Sequence, residues 1–419
     1  MNETGESGPP IVVQKYGGSS VASAKRILSI ADRIKENLPK TPALVVVLSA
    51  MGTTTDELVS LAKKVSVRPA GREMDLLLST GEQVTVSLLG LALQGRGIPA
   101  ISLTAVQCGI RTNGVFNVAR IRSIDTGRIR AELSRDNVVI VTGFQGINET
   151  NDVTTLGRGG SDITGAALAA ALGAEACEIY TDVDGVFSAD PARVSNAKQW
   201  SEISYEEAIE MASSGAKVLH PRAAEICMEY GVAIHVRSSF HSRQGTWIRG
   251  SASPMERAEV VSVTSDSRVA KITLLNVPDE PGMAARVFQD LAQAGVNIRL
   301  IIQSASSENK GRITVILDLE FLRPVKELAE RWEAAGLMSD CVIESDVAKI
   351  SIVGSRLAST PGLAARMFTV LAGAGINIDC ISSSEMKVAC VILSDRLDEA
   401  LRVVHEEFFP PGDGAAVTG

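Results

Sequence analysis

Three stretches of this chain set glycine beside a few charged residues at the end of a β-branched run, an arrangement suited to holding anions. In 155–162, Thr-Leu-Gly-Arg-Gly-Gly-Ser-Asp, Arg158 and Asp162 flank a glycine pair that opens an Ala/Leu-rich run to Gly173. A turn of this kind leaves backbone N–H groups free at a helix start, where they and the helix dipole favour negative charge. In 11–20, Ile-Val-Val-Gln-Lys-Tyr-Gly-Gly-Ser-Ser, Lys15 ends a short apolar strand just ahead of Gly17 and Gly18. In 43–56 a fully apolar run ends in Ala-Met-Gly-Thr-Thr-Thr-Asp. Cations plus fixed peptide dipoles are the means of handling phosphate. The chain has no GxxxxGK[ST], so the cradle is not of the Walker kind. Taken alone, the 11–20 stretch reads equally well as a tight strand-to-helix turn whose lysine is merely exposed.

The elements that must carry these residues follow from periodicity. Strands are predicted at 43–48, 100–103, 138–142 and 233–237, and within the β-branched stretch 178–186, whose end carries Asp-Val-Asp-Gly; helices are predicted over 21–37, 79–93 and 205–213, with a further one ending at 230. Glu82, in the first turn of the helix from 79, reads by itself as a solvated cap residue. Continuous apolar strands alternating with helices over 11–240 predict an α/β domain with a mostly parallel sheet and ligands at the strand C-termini. All three glycine turns fall at such ends.

Composition bounds the rest. At 419 residues, two or three domains are expected; 45 % apolar and 21 % charged residues describe a soluble globular chain. A net charge of −8 argues against nucleic acid and for a small-molecule or protein partner. The six cysteines form no CxxC and no metal-type spacing with the four histidines, which predicts buried thiols in a reducing, cytoplasmic setting. No apolar run reaches the roughly 18 residues of a membrane span, and the acidic, Gly/Pro-rich 1–10 reads as a disordered leader rather than a signal peptide.

After a Ser/Gly/Arg/Pro-rich linker at 247–259 the chain repeats itself. Residues 281–298 match 361–378 at most positions, and Val-Ala-Lys-Ile occurs at both 269–272 and 347–350. Each copy reads as a ferredoxin-like βαββαβ unit, the first over 266–345. The second ends at 408 without a last strand, ahead of a disordered tail at 409–419. The unclaimed strand 260–265 is therefore expected to complete the second unit, 346–408, with the first unit inserted between them.

The residues at this point resemble a family, the aspartokinases: amino-acid kinases with tandem C-terminal ACT domains. Lys-Tyr-Gly-Gly-Ser-Ser (15–20), Ser-Thr-Gly-Glu (79–82), Gly-Arg-Gly-Gly-Ser-Asp (157–162), Tyr-Thr-Asp-Val-Asp-Gly-Val (180–186) and Gly-Ala-Lys-Val-Leu (215–219) occur in the family's order. The resemblance covers nearly everything from Val12 to Glu407 and implies an amino-acid kinase fold over 11–246, a parallel sheet sandwiched by helices, followed by two ACT units. It implies ATP-dependent phosphorylation of the side-chain carboxylate of L-aspartate to 4-phospho-L-aspartate, an early step towards lysine, threonine and methionine, with Mg²⁺ held mainly through phosphates and water. Lys15 would stabilise the transferring phosphoryl group, Asp162 would hold Lys15, and the N–H groups around Gly17, Gly18 and Gly160 would act as fixed dipoles. Arg158 suits the substrate carboxylate and Glu82 its ammonium, with Ser49, Thr55, Phe144, Gly159 and Ser161 nearby. Ser19, Thr181, Asp182, Phe187, Asp190, Arg193 and Lys217 match nucleotide-site positions; Asp279, Asn297, Gln303 and Asn377 match effector positions. The family also implies a lysine or threonine effector and a homodimer or higher oligomer through the ACT units.

The chain departs from the family pattern in places. Asp190-Pro-Ala-Arg193 replaces Asp-Pro-Arg, so a contact to ATP is either lost or taken over by Arg193. Ile163-Thr-Gly165 replaces Thr-Thr-Ala. Asn297-Ile-Arg299 puts a cation where an acid is usual, which would repel an effector's ammonium and weaken feedback unless Arg299 faces outward. Two other readings stay open: a kinase of a related acidic amino acid, and a non-catalytic amino-acid-binding regulator.

Overall fold

The computed structural model describes residues 9–41, 43–67, 69–216, 218–250, 258–305 and 310–410. Nearly all of the expected leader and tail, the centre of the expected linker, and Lys217 lie outside these residues. The described parts of 1–187, 198–213 and 217–255 form one compact unit, and those of 188–197, 214–216 and 256–419 form another.

The first unit runs β1 (Ile11–Tyr16), α1 (Ala24–Asn37), β2 (Ala43–Leu48), α2 (Thr54–Val65), α3 (Gly71–Leu78), α4 (Thr80–Gln94), β3 (Ala100–Leu103), β4 (Ile110–Thr112), β5 (Ile121–Ile124), α5 (Gly127–Leu133), β6 (Val138–Thr142), β7 (Gln145–Ile147), β8 (Val153–Thr155), α6 (Gly160–Leu172), β9 (Ala176–Thr181), β10 (Glu202–Ile203), α7 (Tyr205–Ser214), α8 (Pro221–Tyr230), β11 (Ala233–Ser238) and β12 (Thr246–Ile248). Its main sheet has the order β10-β12-β11-β9-β1-β2-β6-β3, parallel throughout except for the β11/β12 pair. Every residue of β2 and β6 is buried, as a sheet covered on both faces requires. Each fully buried Val or Leu there contributes about 1.5–3 kcal/mol.

Three local features differ from the sequence expectation. The helix expected from 21 starts at Ala24, because a 3₁₀ turn (Gly18–Val21) intervenes and Ser23 caps the helix by accepting from the Arg26 N–H. Glu82 is not a solvated cap: it is 2 % exposed. A second sheet, β5-β4-β7-β8, was not anticipated; its strands are three or four residues long, too short for periodicity to mark.

Gly71–Gln94, spanning α3 and α4, is long and apolar enough by composition to cross a membrane. Asp75 and Glu82 within it are both buried and bonded inside this unit, which marks a core helix pair of a folded domain.

The second unit continues with β13 (Ser262–Asp266), β14 (Val269–Pro278), α9 (Met283–Gln293), β15 (Ile298–Ala305), β16 (Lys310–Asp318), α10 (Leu322–Ala334), β17 (Asp340–Glu344), β18 (Val347–Val353), α11 (Leu363–Gly373), β19 (Cys380–Ser383), β20 (Lys387–Leu393) and α12 (Leu397–Phe408). Two antiparallel sheets result, β15-β16-β14-β17 and β13-β18-β20-β19. β13 pairs with β18, Ser262 opposite Val353, in the position that β17 holds beside β14. The strand that precedes the first repeat thus completes the sheet of the second. Residues 188–197, inside the stretch expected to be kinase, belong here: Ala189 and Val194 share a core with Ile350, Met367 and Leu401.

Candidate active site

Lys15 is aimed by the alternation of β1. Its neighbours Gln14 and Tyr16 are engaged away from the cleft: Gln14 donates to Glu178 Oε2 at 2.8 Å, and Tyr16 stacks on Tyr180 with ring centroids 4.5 Å apart. Lys15 leaves the other face of the strand, towards α6. There its Nζ stands 2.5 Å from Asp162 Oδ1, with both side chains nearly buried. The departure at Gly165 has a spatial reason, since a Cβ at 165 would stand 3.2 Å from Lys15 Cβ and 3.7 Å from Cys177 Sγ. Glycine lets α6 approach β1 closely enough for the ion pair.

The second oxygen of Asp162 accepts the His220 backbone N–H at 3.1 Å. His220 is a functional neighbour that sequence reasoning missed. Its Nδ1 accepts the Arg222 N–H at the start of α8, and burial holds its pKa below the ordinary value, so the ring is neutral and fit for that role. The ring lies over Gly159, where φ is +72° and a Cβ would come within 2.3 Å of His220 Cδ2. Only glycine meets both demands.

Around this pair lies a cleft of about 510 Å³ lined by Lys15, Gly18, Ser49, Thr55, Glu82, Phe144, Arg158, Gly159, Gly160 and Ser161, residues drawn from four separate motifs. Thr155, at the head of the 155–162 stretch, lines it as well, as do Asn117 and Leu78, which no motif marked. Phe144 sits at φ +71°, a strained conformation for a bulky residue. Its N–H donates to Thr164 Oγ1 at 3.1 Å and its carbonyl accepts from Leu156 N–H at 2.9 Å, so α6 and the strand before it hold the turn. Arg158 is exposed, and among the described residues no carboxylate pairs with it.

Glu82 is the unusual group. Its Oε1 accepts the Ala50 N–H at 3.1 Å, while its buried Oε2 has no hydrogen-bond partner among the described residues. Burial drives its pKa from 4.5 to about 7, against the smaller lowering effect of backbone N–H donors. A carboxylate that is desolvated and half satisfied at a cleft wall is a site waiting for a cation or ammonium group.

The amino acid kinase family pattern matches residues 10–238, and ACT domain patterns match 271–337 and 350–408. The chain is 46 % identical over 407 residues to an aspartokinase of Geobacillus stearothermophilus, covering 97 % of this chain and 99 % of that protein. It is equally close to an aspartokinase of Thermus thermophilus, 46 % over 407 residues, covering 95 % and 98 %. The chain belongs to the aspartokinases. Among solved structures, E. coli aspartokinase III in complex with aspartate and ADP superposes with a TM-score of 0.79 at 26 % identity, covering 95 % of this chain and 100 % of that one. The enzyme is thus an aspartate kinase with ACT domains, the modules through which amino acids regulate it.

The expected nucleotide residues are not all gathered at this aspartokinase's cleft. Ser19 is exposed and its carbonyl accepts from Arg26. Thr181, at the end of β9, donates to the exposed Asp182 at 3.1 Å. Phe187 is half-buried and bridged to Gln199. Asp190 caps its own turn, accepting the Ala192 N–H at 2.9 Å. Arg193 is engaged within the second unit: its guanidinium pairs with Asp398 and donates to Ser265 Oγ, 2.8 Å away. Its local sequence resembled the family motif, but residues 188–197 pack with the ACT core.

The expected effector residues Asp279, Asn297, Gln303 and Asn377 are all exposed. Arg299 is not the free cation the sequence suggested: its Nε and Nη2 each lie 3.1 Å from an oxygen of Asp318, a two-pronged pair that cancels its charge locally. Asp379 in the second copy is engaged by Lys271 at 3.3 Å, which also holds Glu344 at 2.7 Å. Among the described residues no cluster of three or more His, Cys, Asp or Glu could hold a metal ion.

Proposed function

We propose that the cleft aligns the side-chain carboxylate of L-aspartate with the γ-phosphate of ATP, giving 4-phospho-L-aspartate and ADP. The nucleophile is a carboxylate with a pKa of about 4, already ionised at neutral pH, so no general base is required. The work is alignment and cancellation of repulsion between two anions. Lys15, held by Asp162, faces the phosphoryl group, and the Gly18 N–H adds a fixed dipole; the N–H groups of Gly17 and Gly160 donate instead to the carbonyls of Tyr180 and Gly157, at 3.2 and 2.9 Å. Arg158 takes the α-carboxylate and Glu82 the α-ammonium, while Ser49, Thr55, Phe144, Gly159 and Ser161 shape the pocket. Thr181, Asp182 and Ser19 lie towards the nucleotide, and Mg²⁺ is carried on its phosphates and water rather than by a protein cage.

Chain pairing through the ACT units fits half-exposed Ile301 and Ile381, on strands β15 and β19 that each end a sheet. An amino-acid effector of the lysine or threonine class fits the exposed Asp279, Asn297, Gln303 and Asn377, with Arg299 neutralised by Asp318 and no longer a barrier.

The observation that carries the reading is the unpartnered buried oxygen of Glu82 in the same cleft as free Arg158 and the Lys15–Asp162 pair. ATP, Mg²⁺ and aspartate with hydroxylamine should yield a trapped aspartyl hydroxamate, and Glu82→Gln should raise the KM for aspartate. No hydroxamate from aspartate, but one from a related acidic amino acid, would move the substrate assignment; none from any would remove the kinase reading.

A further inference from the structure

The substrate side of the cleft is held by a residue outside it. Asp75, on α3, is 0 % exposed, and among the described residues no Lys, Arg or His pairs with it. Instead its carboxylate is spent on four hydrogen bonds: the Asn117 N–H reaches both oxygens, at 2.9 and 3.1 Å, the Thr155 N–H donates to Oδ2 at 2.8 Å, and the Thr155 hydroxyl donates to Oδ1 at 2.7 Å. Burying a carboxylate without a counterion is costly unless donors replace its water, and here every donor comes from the cleft wall. Both Asn117 and Thr155 line the cleft.

The bonds act on backbone as much as on side chains. Asn117 is held at φ +67°, and its carbonyl sits 3.2 Å from where a Cβ of Gly157 would be. Ala119 N–H donates to the Thr155 carbonyl at 2.8 Å, so loop and strand are zipped together just upstream of Gly157, Arg158 and Gly159. Arg72, three residues before Asp75 on α3, pairs with Asp152 at 2.8 Å just ahead of β8. One helix therefore grips both ends of β8, the strand that delivers Arg158.

We propose that Asp75 is a positioning residue for the amino-acid subsite: it sets the place of Arg158 through Asn117 and Thr155, and so governs affinity for aspartate without touching either reactant. This rests on the assignment of Arg158 and Glu82 to the amino acid. A carboxylate is required because it offers only acceptors to converging N–H and O–H donors. An amide at 75 would turn its own N–H group towards one of them.

The test is steady-state kinetics with aspartate and ATP varied separately, on the full chain. Asp75→Asn should raise the KM for aspartate about tenfold or more, as expected for misplacement of an orienting group by a fraction of an ångström, with the KM for ATP within about twofold of wild type. Thr155→Ser, which keeps both donors, should shift the aspartate KM less than Thr155→Val does. Thr155→Val, which loses only the hydroxyl, should shift the aspartate KM alone by a smaller factor, and it carries the test if Asp75→Asn does not fold. An unchanged aspartate KM in both Asp75→Asn and Thr155→Val, or equal changes for both substrates, overturns the proposal. Glu82→Gln, measured alongside, separates the failures: if it too leaves the aspartate KM unchanged, the subsite assignment has failed, and if it alone raises it, only the role of Asp75 has.

Discussion

Glu82 makes a prediction in which stability and affinity move in opposite directions. Its folded pKa of about 7 lies above its ordinary 4.5, so the folded chain holds the proton more tightly than the unfolded one. The stability this contributes is fully present below pH 4.5 and is lost as pH rises through about 7; the gap corresponds to about 3 kcal/mol. Substrate binding needs the ionised form to meet an ammonium group. In the free enzyme about a tenth of Glu82 is ionised at about pH 6 and about nine-tenths at about pH 8, so the KM for aspartate should fall about tenfold across that range. Glu82→Gln keeps an acceptor for the Ala50 N–H and puts an NH₂ where Oε2 has no partner. It should therefore melt at a higher temperature than wild type at pH 8, raise the KM for aspartate about ten- to hundredfold, and abolish its pH dependence. Thermal melts and initial rates at three pH values suffice. A wild-type KM flat over this range, or a Gln variant that melts lower at pH 8, would refute the reasoning that burial strains this carboxylate.

Other substitutions read other parts of the site. Lys15→Met should abolish detectable turnover and, by leaving Asp162 nearly buried and unpaired, lower stability by about 3–5 kcal/mol in denaturant melts. Gly159→Ala forces a side chain into the His220 ring at a positive φ, so activity should drop by at least about tenfold with visible destabilisation. Arg193→Ala should leave the KM for ATP unchanged and cost at most about 1 kcal/mol, because its partner Asp398 is largely exposed; a large rise in that KM would assign it to the nucleotide.

Much of this was legible in the residues, for physical reasons that also explain the gaps. Parallel strands buried on both faces must be apolar throughout, so β2 and β6 declare themselves, and glycine turns at their ends mark where polar side chains can gather. Lys15 and Arg158 stood out because their types are unusual beside such strands and turns, whereas Glu82 read as a solvated cap and was marked only by the family resemblance. Asn117 and Thr155 did not stand out, since an asparagine in a loop and a threonine in a three-residue strand carry no period and no charge. The partners of Arg193, Ser265 and Asp398, lie 72 and 205 residues away, beyond what its local sequence could show. Arg299 likewise looked like an isolated cation only because Asp318 is 19 positions further on.

The two acids of the α3–α4 segment show how one helical stretch supports both structure and binding. Asp75 and Glu82 are seven residues apart, both almost wholly buried, and neither is paired with a cation among the described residues. Burial raises both pKa values, yet the outcomes differ with the count of donors. Asp75 meets two backbone N–H groups and a hydroxyl, which replace most of the water a carboxylate loses. Glu82 has the Ala50 N–H on one oxygen and, among the described residues, no hydrogen-bond partner on the other. The desolvation that Asp75 has already offset inside the protein is, at Glu82, left for a ligand to offset. A buried carboxylate satisfied from within holds a wall in place, and one left half satisfied at the same wall binds.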